Sequence, residues 1–185
     1  MRALKPVVTG AALAAISIAS AHAAVTGASA NALALSETVH VAAAPGKVYA
    51  ALIRPSRWWS SDHTFSGNAA NMSLDARAGG CWCEKLPGVG SVQHMTIIYA
   101  DPGKKLRLSG ALGPFQGMAV DGVMTWTLAP SDGGTDVTMT YSLSGAVDGG
   151  FQSMGPAVDG VLGEQITRLK QFIEAGSPGV AKPKP

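Results

Sequence analysis

Between Thr135 and Ser144 the chain alternates without a break. Val137, Met139, Tyr141 and Leu143 fall on one side, and Asp136, Thr138, Thr140 and Ser142 on the other. A period of two puts each set on one face of an extended strand. Ala119–Leu128 repeats the pattern, with Val120, Met124, Trp126 and Leu128 opposite Asp121, Thr125 and Thr127. Lys105–Gly110 turns Leu106 and Leu108 to one face, and near the start Val39 and Val41 alternate with Thr38 and His40. Ser91–Ala100 and a shorter Met72–Ala76 complete the set. Strands of this kind need an antiparallel sheet with one face on a core and the other in water. Leu86–Gly90, Asp101–Gly103 and Pro130–Gly134 carry the turn chemistry between them, so sequential strands pair as a meander.

Something must cover the apolar face, and the end of the chain supplies it. From Pro156 onward, Val158, Val161, Leu162, Ile166, Leu169, Phe172 and Ile173 recur at steps of three and four, and Gly176 provides a cap. Gly160 and Gly163 weaken this helix and either leave space beneath it or allow close packing. A short helix over Lys47–Ile53 follows Pro45 and stops before Pro55. The expected class is α+β: a curved antiparallel sheet of about six to seven strands wrapped around one long C-terminal helix, with short helices after the first strand.

The ends read differently. Arg2 and Lys5 precede an apolar run from Val7 to Ala21, and Ala21-His22-Ala23 is a small-x-small triplet. This is the layout of a secretory signal peptide over residues 1–23, too short to span a bilayer; Ala28-Ser29-Ala30 offers a second cleavage position. The expected location is therefore periplasmic or secreted, with no stable membrane anchor after cleavage. Residues 24–34 read as a flexible lead-in, 35–176 as the folded domain, and 177–185 as a disordered, proline-rich tail.

Cleavage also changes the charge. The full chain carries 14 Lys and Arg against 12 Asp and Glu; removing Arg2 and Lys5 leaves 12 against 12. A neutral domain without a basic stripe gives no footprint for nucleic acid. Protein partners stay open.

Several local strings resemble the helix-grip superfamily called SRPBCC or START-like, which includes polyketide cyclases, lipid-transfer domains and heat-shock protein 90 ATPase activator-like proteins. They are Trp58-Trp59-Ser60-Ser61-Asp62-His63-Thr64-Phe65-Ser66-Gly67, Gly79-Gly80-Cys81-Trp82-Cys83-Glu84, Leu108-Ser109-Gly110-Ala111-Leu112-Gly113-Pro114, Trp126-Thr127-Leu128 and Val158-Asp159-Gly160-Val161-Leu162. The resemblance spans about residues 36 to 175 and is specific for fold rather than activity. It implies an elongated cavity between sheet and C-terminal helix that takes an apolar or amphipathic small molecule; no cofactor is expected. An exported chain would meet neither the cytosolic chaperone nor ATP, which sets the activator role aside.

Within that frame, the expected liners are Trp82, Leu108, Val120, Met124, Trp126, Met139, Tyr141, Val158 and Leu162, with Glu84 and His94 as polar anchors. A symmetric hairpin about Pro87-Gly88-Val89 sets Trp82 opposite His94 and Glu84 opposite Val92, with Glu84 diagonal to His94 on one face. Such a pair either orients a ligand, transfers protons in a cyclase-like or hydrolase-like reaction, or is a plain hydrogen-bonded pair. Trp58, Trp59 and His63 read either as a cavity mouth or as an aromatic plug. Cys81 and Cys83 leave three readings open: buried thiols, a strained disulfide, or half of a soft-metal site. Two cysteines two apart on a regular strand lie roughly 6.5–7 Å apart, at the edge of disulfide reach. The sequence has no G-x-S-x-G elbow, phosphate-binding glycine loop or H-E-x-x-H pattern.

Overall fold

The computed structural model describes residues 22–179. Most of the expected leader and residues 180–185 of the expected tail lie outside the described residues. The described elements are β1 (His22–Ala28), β2 (Ala32–Val41), α1 (Pro45–Leu52), β3 (Met72–Leu74), β4 (Cys81–Lys85), β5 (Ser91–Asp101), β6 (Lys105–Ser109), β7 (Val120–Ser131), β8 (Gly134–Gly145) and α2 (Phe151–Ala175). The strands form one antiparallel sheet in the order β1-β2-β8-β7-β6-β5-β4-β3. The fold is α+β and matches the expected helix grip, with eight strands rather than six or seven.

Within the meander, β6 to β8 follow the alternation that the sequence displays. Leu106, Leu108, Met124, Trp126, Val137, Met139 and Leu143 all turn inward and are buried. α2 packs chiefly over β2 and β1, at one end of the sheet. The other end, β4 to β6, is covered instead by the long connection between α1 and β3. That division leaves a gap between connection and helix, and the gap is where the site lies.

Three expectations need correction. Residues 24–34 are not a flexible lead-in: Val25 and Gly27 belong to β1, and Leu33 and Leu35 in β2 are buried. The physical reason is that Leu33 and Leu35 continue the phase of Val39 and Val41, while the small residues before them pair with β2 as a hairpin strand with one register shift between Val25 and Gly27. α2 begins at Phe151, not Pro156, which leaves the proline inside the helix. Phe151 and Met154 extend the apolar stripe a turn upstream; Phe151 is fully buried with its ring 5.6 Å from that of Phe115. Gly160 neither packs closely nor opens room beneath the helix, because it is exposed and a side chain there would meet nothing within 4 Å.

One inward position on β2 breaks the apolar pattern. Glu37 is fully buried, and neither carboxylate oxygen has a hydrogen-bond partner among the described residues. Burial, reinforced by Asp159 on α2, pushes its pKa up to about 7.

Candidate functional site

The cavity encloses about 480 Å³. Its roof is α2, through Met154, Ala157, Val158, Val161 and Leu162. One wall is the connection from Trp59 to Phe65, and the opposite wall is the turn from Leu112 to Phe115. His94 and Tyr141 come up from the sheet. The lining is overwhelmingly apolar, as a site for a small greasy molecule requires.

The connection is held at both ends. Near its start, the Trp58 carbonyl accepts from Arg168 Nε at 2.9 Å, and the Ser60 amide donates to Gln165 Oε1 at 2.8 Å, so both contacts reach α2. Trp58 is buried, donates its indole N–H to the Ala51 carbonyl and packs edge-on to Trp126. It is therefore the aromatic plug and not part of the mouth. Trp59 lines the cavity, donates to the His63 carbonyl at 2.9 Å and meets Trp82 edge-on at 4.9 Å. His63 also lines the cavity, with Nε2 3.3 Å from Glu164 Oε2 across the gap to α2.

At its far end the connection is tied to Glu84. The amides of Phe65 and Ser66 both donate to this buried carboxylate, and His94 Nε2 lies 2.9 Å from Oε2. Burial pushes the Glu84 carboxyl up, but hydrogen bonds from Ser66, Phe65 and His94 outweigh it and hold the pKa below the usual carboxylate value. Burial lowers the pKa of His94 more than Glu84 raises it, which favours the neutral ring. An ionised carboxylate only accepts, so the neutral ring places its proton on Nε2 and donates it to Glu84. Nδ1 is then the acceptor, on a residue that lines the cavity, and it has no hydrogen-bond partner among the described residues.

His94 reaches this place through a bulge. Cys83 pairs with Gln93 and Trp82 pairs with Met95, which leaves His94 as the extra residue on β5. The expected pairing of Trp82 with His94 is thus replaced, while Glu84 does pair with Val92 and Lys85 with Ser91. A bulge re-aims a side chain, and here His94 and its neighbour Met95 both turn inward and are buried. Tyr141 offers less to a ligand. Its hydroxyl donates to the Gly110 carbonyl and accepts from the Leu112 amide, both at 3.1 Å.

The cysteines form a Cys81–Cys83 disulfide with their Cα atoms 5.4 Å apart, closer than a regular strand allows. Of the three readings for the pair, the structure takes the disulfide. Among the described residues no group of three or more His, Cys, Asp or Glu side chains is placed to hold a metal ion.

Residues 32–174 match the family described as polyketide cyclase / dehydrase and lipid transport. The chain belongs to that family. Solved structures agree on the fold of this polyketide cyclase / dehydrase family member. CalU16 from Micromonospora echinospora is 19% identical with a TM-score of 0.56, over 83% of each chain. A conserved protein of unknown function from Enterococcus faecalis, EF2215, is 15% identical with a TM-score of 0.55, over 83% of this chain and 77% of its own. The di-domain ARO/CYC protein StfQ of the steffimycin biosynthetic pathway is 11% identical with a TM-score of 0.54, over 78% of this chain and 50% of its own. No curated protein sequence matches the chain.

Of the expected liners, His94, Tyr141, Val158 and Leu162 face the cavity, as do Trp59 and His63. Glu84 stands behind His94. Met124 and Met139 are buried in the core, and Val120 is a half-buried residue packed against it. Trp82, Leu108 and Trp126 pack around a minute void beneath Trp58 instead. They point inward as expected, but the plug and the connection fill the space above them. Phe65, Leu112, Phe115, Met154, Ala157 and Val161 were not among the expected liners. Val161 was already legible in the helical stripe, whereas Phe65 and Phe115 stand on irregular segments that no periodicity marks.

Proposed function

We propose that this chain is an exported protein that holds a small, largely apolar molecule carrying one hydrogen-bond donor, such as a hydroxyl. The carrying observation is the apolar cavity of about 480 Å³ with the unengaged acceptor of His94 on its wall. Family membership supports a ligand-binding role, and CalU16 and StfQ share the fold. Export is supported by the leader pattern of residues 1–23 and by a disulfide, which persists in oxidising compartments. Cleavage after Ala23 would keep most of β1, whereas cleavage after Ala30 would remove it.

The Glu84–His94 pair also favours a second reading, proton transfer in a cyclase-like or hydrolase-like reaction. His94 would be the base and Glu84 the positioning residue, since the carboxylate already receives three hydrogen bonds. Among the described residues no helix is long and apolar enough to cross a membrane.

Native mass spectrometry of protein recovered from the periplasmic fraction tests the binding reading. A small molecule retained on the folded protein is the expected result. If none is retained and 2-naphthol, an apolar hydroxyl-bearing probe, also fails to bind, the reading is wrong.

A further inference from the structure

The disulfide and the bulge that aims His94 occupy the same few residues. Cys81 pairs with Thr96 and Cys83 pairs with Gln93, so three residues of β4 face four of β5. On the short side the disulfide draws the Cα atoms of Cys81 and Cys83 to 5.4 Å. On the long side, Gln93 Nε2 donates to Thr96 Oγ1 at 2.6 Å and brackets His94 and Met95 between them. A shortened β4 needs less opposite strand than β5 supplies, and the surplus residue is His94.

The bond is also poorly explained as a staple. It closes a loop containing Trp82 alone, and cross-links over the shortest loops restrict the unfolded chain least. Trp82 and Glu84 are buried on the inner face, so by alternation the two cysteines stand on the outer one, and neither is buried. The sulfurs thus face away from the cavity, while the residue between them packs on two residues that line it. Trp82 lies 4.9 Å from Trp59 and 5.6 Å from His94, both cavity residues.

We propose that Cys81–Cys83 is a thiol-exchange site, open to a dithiol reductant on the outer face, whose oxidation state sets how firmly His94 is held in the cavity wall and Trp82 behind it. In the exchange a thiolate of the dithiol attacks one cysteine sulfur, the Cys81–Cys83 bond breaks, and the other cysteine leaves as a thiolate and takes a proton. The second thiol of the reductant then displaces the first cysteine. Two electrons and two protons have passed to the protein, which holds two thiols, and the reductant has become a disulfide.

With the bond open, residues 81–83 are free to extend, and the excess of β5 over β4 loses one of its two brackets. Met95 and Ile97 are core residues that fix the register beyond the bulge, so the strand loosens at His94 without slipping. The consequence for binding rests on the ligand-binding reading above; the movement of His94 does not.

The experiment compares oxidised protein, protein reduced with dithiothreitol, and the Cys81→Ser/Cys83→Ser double variant. Denatured oxidised protein should contain no free thiol, and far-UV circular dichroism should be the same in all three forms. On reduction and in the double variant the His94 ring resonances should shift or broaden, and 2-naphthol affinity should fall about fivefold or more. Two free thiols in the oxidised protein, unchanged His94 resonances, or loss of the fold in the double variant would overturn the proposal. A His94 change with unaltered affinity would overturn the link to binding. If oxidised protein does not bind 2-naphthol at all, the ligand-binding reading has failed, and the His94 resonances alone decide this one.

Discussion

Two glutamates lie fully buried against the same sheet, one at each end, and they have opposite chemistry. Glu84 receives two backbone amides and the His94 ring, and its pKa is held below the ordinary value. Glu37 receives nothing among the described residues, faces the negative charge of Asp159, and its pKa is pushed up to about 7. Burial is common to both, so burial does not decide the outcome. What decides it is whether donors converge on the carboxylate. The satisfied glutamate organises the cavity wall, fixing the connection at Phe65 and Ser66 and setting the tautomer of His94. The orphan lies outside the cavity, under α2.

The pH dependence of stability follows with opposite signs. Glu84 binds its proton less readily in the folded state than in the unfolded state, so its contribution is present above the unfolded pKa and is lost as pH falls through the lowered folded value. For Glu37 the folded value is raised, so its contribution is present below the unfolded pKa, 4.5, and is lost as pH rises through about 7.

The largest effect that would break this contrast is at Glu84. Glu84→Ala leaves the Phe65 and Ser66 amides and the buried His94 ring without their acceptor, and should cost about 3 kcal/mol or more in denaturant unfolding at pH 7. A loss below about 1 kcal/mol would mean the converging hydrogen bonds are not what steadies the connection. The next effect has the opposite sign. Glu37→Gln removes a charge that burial disfavours, and should stabilise the protein by on the order of 2 kcal/mol at pH 8, with the gain vanishing by pH 4.5. Thermal unfolding of the two proteins across that range checks it. A variant equally stable at both ends would show that Glu37 is ionised without penalty.

The same comparison shows what the sequence could and could not reveal. Strict alternation made β6 to β8 readable to within about three residues at their ends, because a sheet with one wet face imposes that pattern on its strands. The Glu84–His94 pairing was readable too, since a tight turn at Pro87-Gly88-Val89 sets the register next to it. The bulge was not. Nothing in the string Gln93-His94-Met95-Thr96 announces that two consecutive side chains turn inward, and the cysteine spacing opposite read as marginal for a bond. Glu37 was hidden because an acidic residue inside an alternating run looks like an outward one misplaced. Trp58 and Trp59 are adjacent, yet one plugs the core and the other faces the cavity. That division depends on Arg168 and Gln165, which reach the connection from more than a hundred residues away in sequence.

The central claim is that an apolar cavity reads its ligand through the lone pair of His94. The most direct measurement compares 2-naphthol with 2-methoxynaphthalene, which has nearly the same shape but no hydroxyl proton, by titration at pH 7.5. The account predicts that the wild-type protein prefers 2-naphthol by about tenfold, the worth of one hydrogen bond to a buried acceptor, and that His94→Phe binds both alike. Equal affinity of the wild-type protein for the two probes would contradict it.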